Sequence, residues 1–464
     1  MRRGIKPPPI ELAYAEERLP AAWRSAIRSI LRAALKAADP QQALWRNLRR
    51  EGDALCLQGS TARWPLHGPG EIYVVALGKA ALPMAAALHR QIGDVIRHTL
   101  VITKQAEMPL PGAEVLIGDH PLPGEQSLRA GQRLRQFLQS LREQDLLIVL
   151  LSGGGSALAT LPPAVSGAPL SLEDLRALNQ ALLSCGADIR EINIVRRHLD
   201  PLKGGGWLRL TPAATLTLAL SDVLGNAPEA IASGPTAPDP TTLADAWGVI
   251  ERYGLRTRLP PSLLQALTEA PETVKPGEIP LDPKTGQPRH IYRILGENRL
   301  AAQAARRAAQ RHGFHARLLT TTLQGEASQA GRFLAAILKQ IAESDEPLPR
   351  PACLIAGGET TVTVHGSGRG GRNQELALAA ALDLDGVPGV ALMALATDGQ
   401  DGPTEAAGAL VTGDTLRRAA ALGLEARRFL ENQDSYTFFS TLGDSILLSK
   451  GRTNVNDLIF LFGF

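Results

Sequence analysis

The chain has 464 residues, 44% of them hydrophobic and 20% charged, with a formal net charge of +3. That length can bury a sizeable core and suggests two or three domains, and the composition is that of a globular protein, not a disordered or fibrous one. The weak positive charge argues against a nucleic-acid partner, and the lack of any uninterrupted apolar run of about 18 residues argues against a membrane span.

Residues 1–20 are rich in proline and charge and are expected to be loosely attached; no apolar run follows Arg2, Arg3 and Lys6, which argues against a secretory leader. Cys56, Cys185 and Cys353 are odd in number and far apart, so they read as reduced cysteines of a cytoplasmic protein, not as a disulfide set or zinc site. Trp23, Ile27, Ile30, Leu31 and Leu35 recur at helical spacing, with Pro40 as a stop signal. Short β-branched runs then alternate with alanine-rich helical patterns: "IYVVALG" (72–78), "LLIVLL" (146–151) and "ATLTLALSDV" (214–223) read as buried strands of a mostly parallel sheet with helices on both faces. From about 255 to 290 the composition shifts to proline, lysine and polar residues, the best linker candidate. Strands are expected again at "YRIL" (292–295), "ARLLTTT" (316–322), "CLIAGG" (353–358), "TTVTVHG" (360–366), "VALMALATDG" (390–399) and "DLIFLF" (457–462). The fold class is therefore α/β, with two α/β domains and an active site expected in the cleft between them.

Gly366, Gly368 and Gly371 in "HGSGRGGRNQE" fit G-x-G-x-x-G, the dinucleotide fingerprint. That fingerprint belongs between a first parallel strand and a helix, with an acidic residue about 20 positions on at the end of the next strand. Here the preceding apolar run follows "AGGE" (356–359) directly after another strand, which reads as a hairpin. Arg369 and Arg372 lie among the glycines, and guanidinium forks suit a phosphate or carboxylate gripped from outside.

"LSGGGSALA" (151–159) runs from a strand through Gly153, Gly154 and Gly155, flanked by Ser152 and Ser156, into a helix start. It offers backbone N–H groups and a helix dipole to an anion, without the order of a Walker A loop. Two of the chain's few lysines stand in comparable settings: Lys79 follows "VVALG" at a strand's carboxyl end, and Lys203 opens "KGGG" after Arg196, Arg197 and His198. Asp222 follows the third strand in "LALSDVLGN", Asp398 and Asp401 follow another in "ALATDGQDGP", and Glu359 follows "LIAGG". Carboxylates at strand ends beside anion loops are what Mg2+ needs, since it binds through one or two of them together with phosphate oxygens.

In combination, "LGKAA", "LSGGGSALA", "NIVRRHLDPLKGG", "SDVLGN", "GGETTVTVHGSGRGGRNQELAL", "ATDGQDGPTEAAGA" and "TNVNDL" resemble the class II glycerate kinase family, over about residues 22–461. The resemblance implies an N-terminal Rossmann-like kinase domain at 21–270 and a C-terminal MOFRL-type domain at 290–464. It implies ATP- and Mg2+-dependent phosphorylation of D-glycerate, giving 2-phosphoglycerate. Lys79, Arg372 and Asp222 would then be catalytic, with Ser152, Gly153, Gly154, Gly155, Ser156 and Lys203 binding the nucleotide phosphates. Arg197 and Arg369 would take the substrate carboxylate, and Asp222, Glu359, Asp398 and Asp401 are the metal candidates. Rival readings are an NAD(P)H-dependent hydroxypyruvate reductase and a non-catalytic binder of small carboxylates. ATP and a small acid are the expected partners, without nucleic acid or membrane; a homo-oligomer stays open. The chain departs from the family pattern at Asn226 and Gly124, where aspartate is usual, and in the loop Lys450–Arg452. Arg372, on a polar loop, is expected to matter for catalysis and little for stability.

Overall fold

The computed structural model describes residues 11–106, 109–165, 168–279, 281, 289–449 and 453–464. The chain forms two compact units, one spanning Ala43–Leu295 and the other combining the residues up to Gln42 with Gly296–Phe464. No helix among the described residues is long and apolar enough to cross a membrane.

The central unit is built on a six-stranded sheet in the order His290–Gly296, Ala214–Leu220, Leu146–Leu151, Ile72–Leu77, Ile96–Thr103, Ala113–Ile117. The four pairings from Ala214–Leu220 to Ala113–Ile117 are parallel. Alternate residues of each strand enter opposite cores: Leu146, Ile148 and Leu150 lie in one, Leu147, Val149 and Leu151 in the other. Continuous apolar sequence follows from burial of both faces.

The second unit carries a seven-stranded sheet in the order Leu12–Ala13, Ser445–Leu448, Gly408–Thr412, Val390–Ala396, Asp457–Gly463, Ala352–Gly358, His315–Leu323. Only its last pairing is parallel. Both faces are nonetheless covered: Leu458, Phe460 and Phe462 enter one core, Ile459 and Leu461 the other.

Three expectations are corrected. The helix Arg24–Ala38, read as part of the N-terminal domain, belongs to the second unit. Its apolar stripe of Ile27, Ile30, Leu31 and Leu35 packs in one core with Ala301, Ala305, Phe314 and Phe460, and so helps to cover that face of the sheet. The proline-rich segment is not a linker between domains: Pro261–Glu269 is a helix whose Leu263, Ala266 and Leu267 are core, and the strand His290–Gly296 extends the central sheet. The boundary therefore lies at Gly296. "TTVTVHG" forms no strand beyond a single bridge between Thr361 and Glu326, so the glycine motif does not follow a hairpin.

Candidate active site

In the central unit two neighbouring parallel strands end together, Leu77 opposite Leu151. Beyond them the backbones close in. Gly78 has φ 125°, and a Cβ there would lie 2.3 Å from Ser152 Oγ, so only glycine fits. The Lys79 amide donates to the Gly153 carbonyl at 2.9 Å, and the Ala80 amide donates to Ser152 Oγ at 2.9 Å. Gly154 adopts φ 84°, and its missing Cβ would lie 3.3 Å from Lys79 Cγ and 3.2 Å from His120 Cδ2. A Cβ on Gly153 would meet Asp222 Oδ2 at 1.9 Å. Lys79, His120, Asp222 and the loop Ser152–Ser156 therefore converge. Among the described residues, nothing accepts from the amides of Gly153, Gly154, Gly155 or Ser156. The helix after the loop is one turn, Gly155–Leu158, so the donors are individual amides and the expected dipole contribution is small. Ser156 Oγ lies 2.8 Å from Ser233 Oγ, whose own backbone, with that of Ala232, is left-handed at φ 61° and 51°. Such conformations cost about 1 kcal/mol or more each and persist where the surroundings impose them.

His120 is half-buried, and burial together with the charges of Lys79 and Lys104 lowers its pKa to about 4. Its imidazole is neutral at physiological pH, a donor or acceptor and not a third cation. Two basic candidates of this unit are already engaged. Arg197 is buried and ion-paired with Asp239 at 3.0 Å, so its fork has a carboxylate from its own chain. Lys203 is buried against Asp200.

In the second unit the glycine motif is spent on the chain itself. The amides of His365 and Gly366 donate to Gln433 Oε1, that of Ser367 to Asn432 Oδ1, that of Gly368 to the Asn432 carbonyl and that of Arg369 to Asp434 Oδ1. Cβ atoms on Gly366 and Gly368 would lie 2.2 and 2.4 Å from this same segment. The glycines serve close packing against 432–434, and five consecutive amides are unavailable to a pyrophosphate. Arg369 is exposed, stacked on Tyr436 at 5.0 Å.

Arg372 opens the helix Arg372–Asp383. Its Nε and Nη2 donate to Asp457 at 2.6 and 3.1 Å and its Nη1 donates to Glu359 Oε1 at 2.8 Å. Burial pushes the Asp457 carboxyl up to about 7 although Arg372 pulls it down. Burial also disfavours the Arg372 charge, but Asp457 and Glu359 more than offset that and hold it protonated. Asp401 is fully buried: its Oδ1 accepts from the amide and side chain of Asn373, and its Oδ2 from those of Gln374.

The four metal candidates thus separate. Asp401 has its oxygens filled by donors, and Glu359 is shared between Arg372 and Asn456 Nδ2. Asp398 is half-buried with one oxygen accepting from the Gln400 amide. No group of three or more His, Cys, Asp or Glu side chains among the described residues is placed to hold a metal ion. Mg2+ bound through one carboxylate and phosphate oxygens fits this donor set, at Asp398 or Asp222. Asp401→Asn, which sets an amide NH2 against existing donors, is expected to cost roughly 2–3 kcal/mol. Thermal melting should register that loss, while the Mg2+ dependence of activity should not move.

His120 and Asp457 were missed by the sequence reading. The signals were there in "HPLPGEQS" and "TNVNDL", but residue type alone did not say which side chain points where. The departures at Gly124 and Asn226 have local accounts. A Cβ on Gly124 would lie 2.4 Å from Asp119 Oδ2, and that oxygen already accepts from the amides of Gln126 and Ser127 at the helix start. Asn226 sits at φ 58°, which asparagine tolerates. The loop Lys450–Arg452 lies outside the described residues.

Residues 26–268 match the family described as a domain of unknown function (DUF4147), and residues 352–457 match the MOFRL family. A protein of Thermotoga maritima named D-glycerate 2-kinase is 42% identical over 84% of this chain and 89% of its own. A protein of Agrobacterium vitis with a provisional hydroxypyruvate reductase name is 39% identical over 94% of this chain and 93% of its own. The crystal structure of a glycerate kinase from Thermotoga maritima superposes with a TM-score of 0.82 at 38% identity, covering 96% of this chain and 100% of that one. With both of its parts matched and most of its length aligned, the chain belongs to the glycerate 2-kinase family with a C-terminal MOFRL domain.

Proposed function

We propose that the protein transfers the γ-phosphoryl group of ATP to D-glycerate, giving 2-phosphoglycerate and ADP. The observation that carries this reading is the contrast between the two glycine loops. Ser152–Ser156 offers amides without acceptors beside Lys79, while the dinucleotide-like motif has spent the amides of residues 365–369 internally. The name of the Thermotoga maritima relative points the same way; the Agrobacterium vitis relative carries the reductase name, and the internal use of those amides disfavours that alternative.

In the transfer, an oxygen of the acceptor hydroxyl forms a bond to the γ-phosphorus as the bond to the β–γ bridging oxygen breaks. ADP leaves and the hydroxyl proton passes to a nearby carboxylate. Little covalent chemistry falls to the protein, so positioning and charge neutralisation do most of the work. Amides 153–156 would hold phosphate oxygens, Lys79 would neutralise the transferring group, and Asp222 would orient the hydroxyl. Arg372, gripped by Asp457 and Glu359, presents a fixed cation at the start of its helix. Mg2+, held by Asp222 together with the phosphates, would supply further neutralisation. The three free cysteines fit an ATP-using enzyme of the cytoplasm.

Purified protein with ATP, Mg2+ and D-glycerate is expected to form ADP and 2-phosphoglycerate, identified by phosphorus NMR. Oxidation of NADH by hydroxypyruvate with no ADP formed would overturn the reading, and a 3-phosphoglycerate signal would correct its regiochemistry.

A further inference from the structure

We propose that a cavity beside the glycine loop is the acceptor's pocket, and that Arg196 grips the carboxylate of a small 2-hydroxy acid there. The identity of that acid as glycerate rests on the kinase reading above.

The cavity, about 150 Å³, is lined by His120, Gly154, Ser156, Asn179, Arg196 and Lys203 among others. Sites for drug-sized ligands occupy roughly 300–1,000 Å³, so this one suits a three-carbon acid and not a nucleotide. It shares Gly154, Ser156 and His120 with the loop beside Lys79, which sets an acid held here next to the phosphate-binding amides.

Charge accounting singles out Arg196. Lys203 is neutralised by Asp200, which also accepts from Thr160 Oγ1 at 2.8 Å and from the Leu161 and Leu202 amides. Arg197 is neutralised by its ion pair with Asp239. Arg196 has no carboxylate among the described residues. Its Nε donates to Asn179 Oδ1 at 2.9 Å and its Nη2 to the same oxygen. Asn179 is itself fixed by donating to the Leu175 carbonyl at 2.7 Å. A guanidinium has five N–H groups, and an amide oxygen leaves both its charge and part of its fork unanswered. Burial lowers the Arg196 pKa, the cost of holding an uncompensated cation in a wall, and a bound carboxylate would relieve it.

The test is calorimetric titration of the full-length protein with D-glycerate, without nucleotide, alongside titration with ATP. Arg196→Gln is expected to weaken D-glycerate about 10- to 100-fold, as loss of a hydrogen-bonded charge does, and to leave ATP affinity unchanged. Arg196→Lys, which keeps the charge and loses the fork, should fall between, and it carries the test if the glutamine variant does not fold. Unchanged D-glycerate affinity in both variants overturns the pocket and leaves the kinase standing. Wild type that binds D-glycerate but forms no phosphoglycerate overturns the kinase and leaves the pocket. Wild type that does not bind D-glycerate overturns both.

Discussion

Lys79→Ala is expected to lower kcat by about 10²-fold or more, the usual cost of removing a preorganised charge from a developing anion. Lys79 is held by its backbone, through the amide bond to the Gly153 carbonyl, and that bond survives the substitution. Its side chain is half-buried and belongs to no core cluster, so melting should shift little. Steady-state kinetics and a melting curve on the same sample check both halves. Unchanged kcat would return Lys79 to the role of a surface lysine and move the search to the loop's amides alone.

Arg372→Lys is expected to lower kcat/KM for D-glycerate by roughly 10²-fold, equivalent to about 2.7 kcal/mol of transition-state stabilisation. A lysine cannot reproduce a fork that reaches both oxygens of Asp457 and one of Glu359. The expectation that stability would hardly change does not survive the geometry, because Asp457 is buried and Arg372 is its counter-ion. Arg372→Ala should cost roughly 3 kcal/mol, on the order of 10 °C in melting temperature. The sign of the pH dependence follows from Asp457. Its folded pKa, about 7, lies above the ordinary carboxylate value, so the folded state binds the extra proton and stability falls as pH rises between them. Without Arg372 that pKa climbs further, and the deficit relative to wild type should grow from pH 7 upward. Asp457→Asn in the Arg372→Ala background should recover much of it; a pH-independent deficit would show that the pair is not the cause.

The inner strands of both sheets were legible because they are buried on both faces, which writes an unbroken apolar run whatever the strand direction. That is why the same signal marked the parallel sheet around Leu146–Leu151 and the mainly antiparallel one around Asp457–Gly463. Proline content misled at 255–290, where Pro261 starts a helix instead of ending a domain. The loops were found but not their occupancy: the amides of 365–369 are spent on 432–434, those of 153–156 meet no acceptor among the described residues, and the two glycine runs look alike as letters. Arg196 and Arg197 are adjacent on one helix, about 100° apart around its axis. One faces Asp239 and the other the cavity, a difference that no spacing rule reveals before the helix is docked. Asp401, with four donors converging on it, reads in sequence like any acidic loop residue.

The second unit is interrupted in sequence by the whole of the central one. During synthesis the helix Arg24–Ala38 emerges before the whole central unit, with Ile27, Ile30 and Leu31 awaiting Ala301, Ala305 and Phe460. The central unit can complete its sheet while the ribosome is still translating, since all its partners lie between Ala43 and Leu295. The strand Asp457–Gly463, which pairs with both Ala352–Gly358 and Val390–Ala396, arrives after both of these partners. Until then the sheet of the second unit lacks its middle, and an amphipathic helix waits unpaired. Nascent chains stalled before residue 457 should therefore protect the central strands from protease and leave Arg24–Ala38 open to cleavage, an order of maturation set by topology alone.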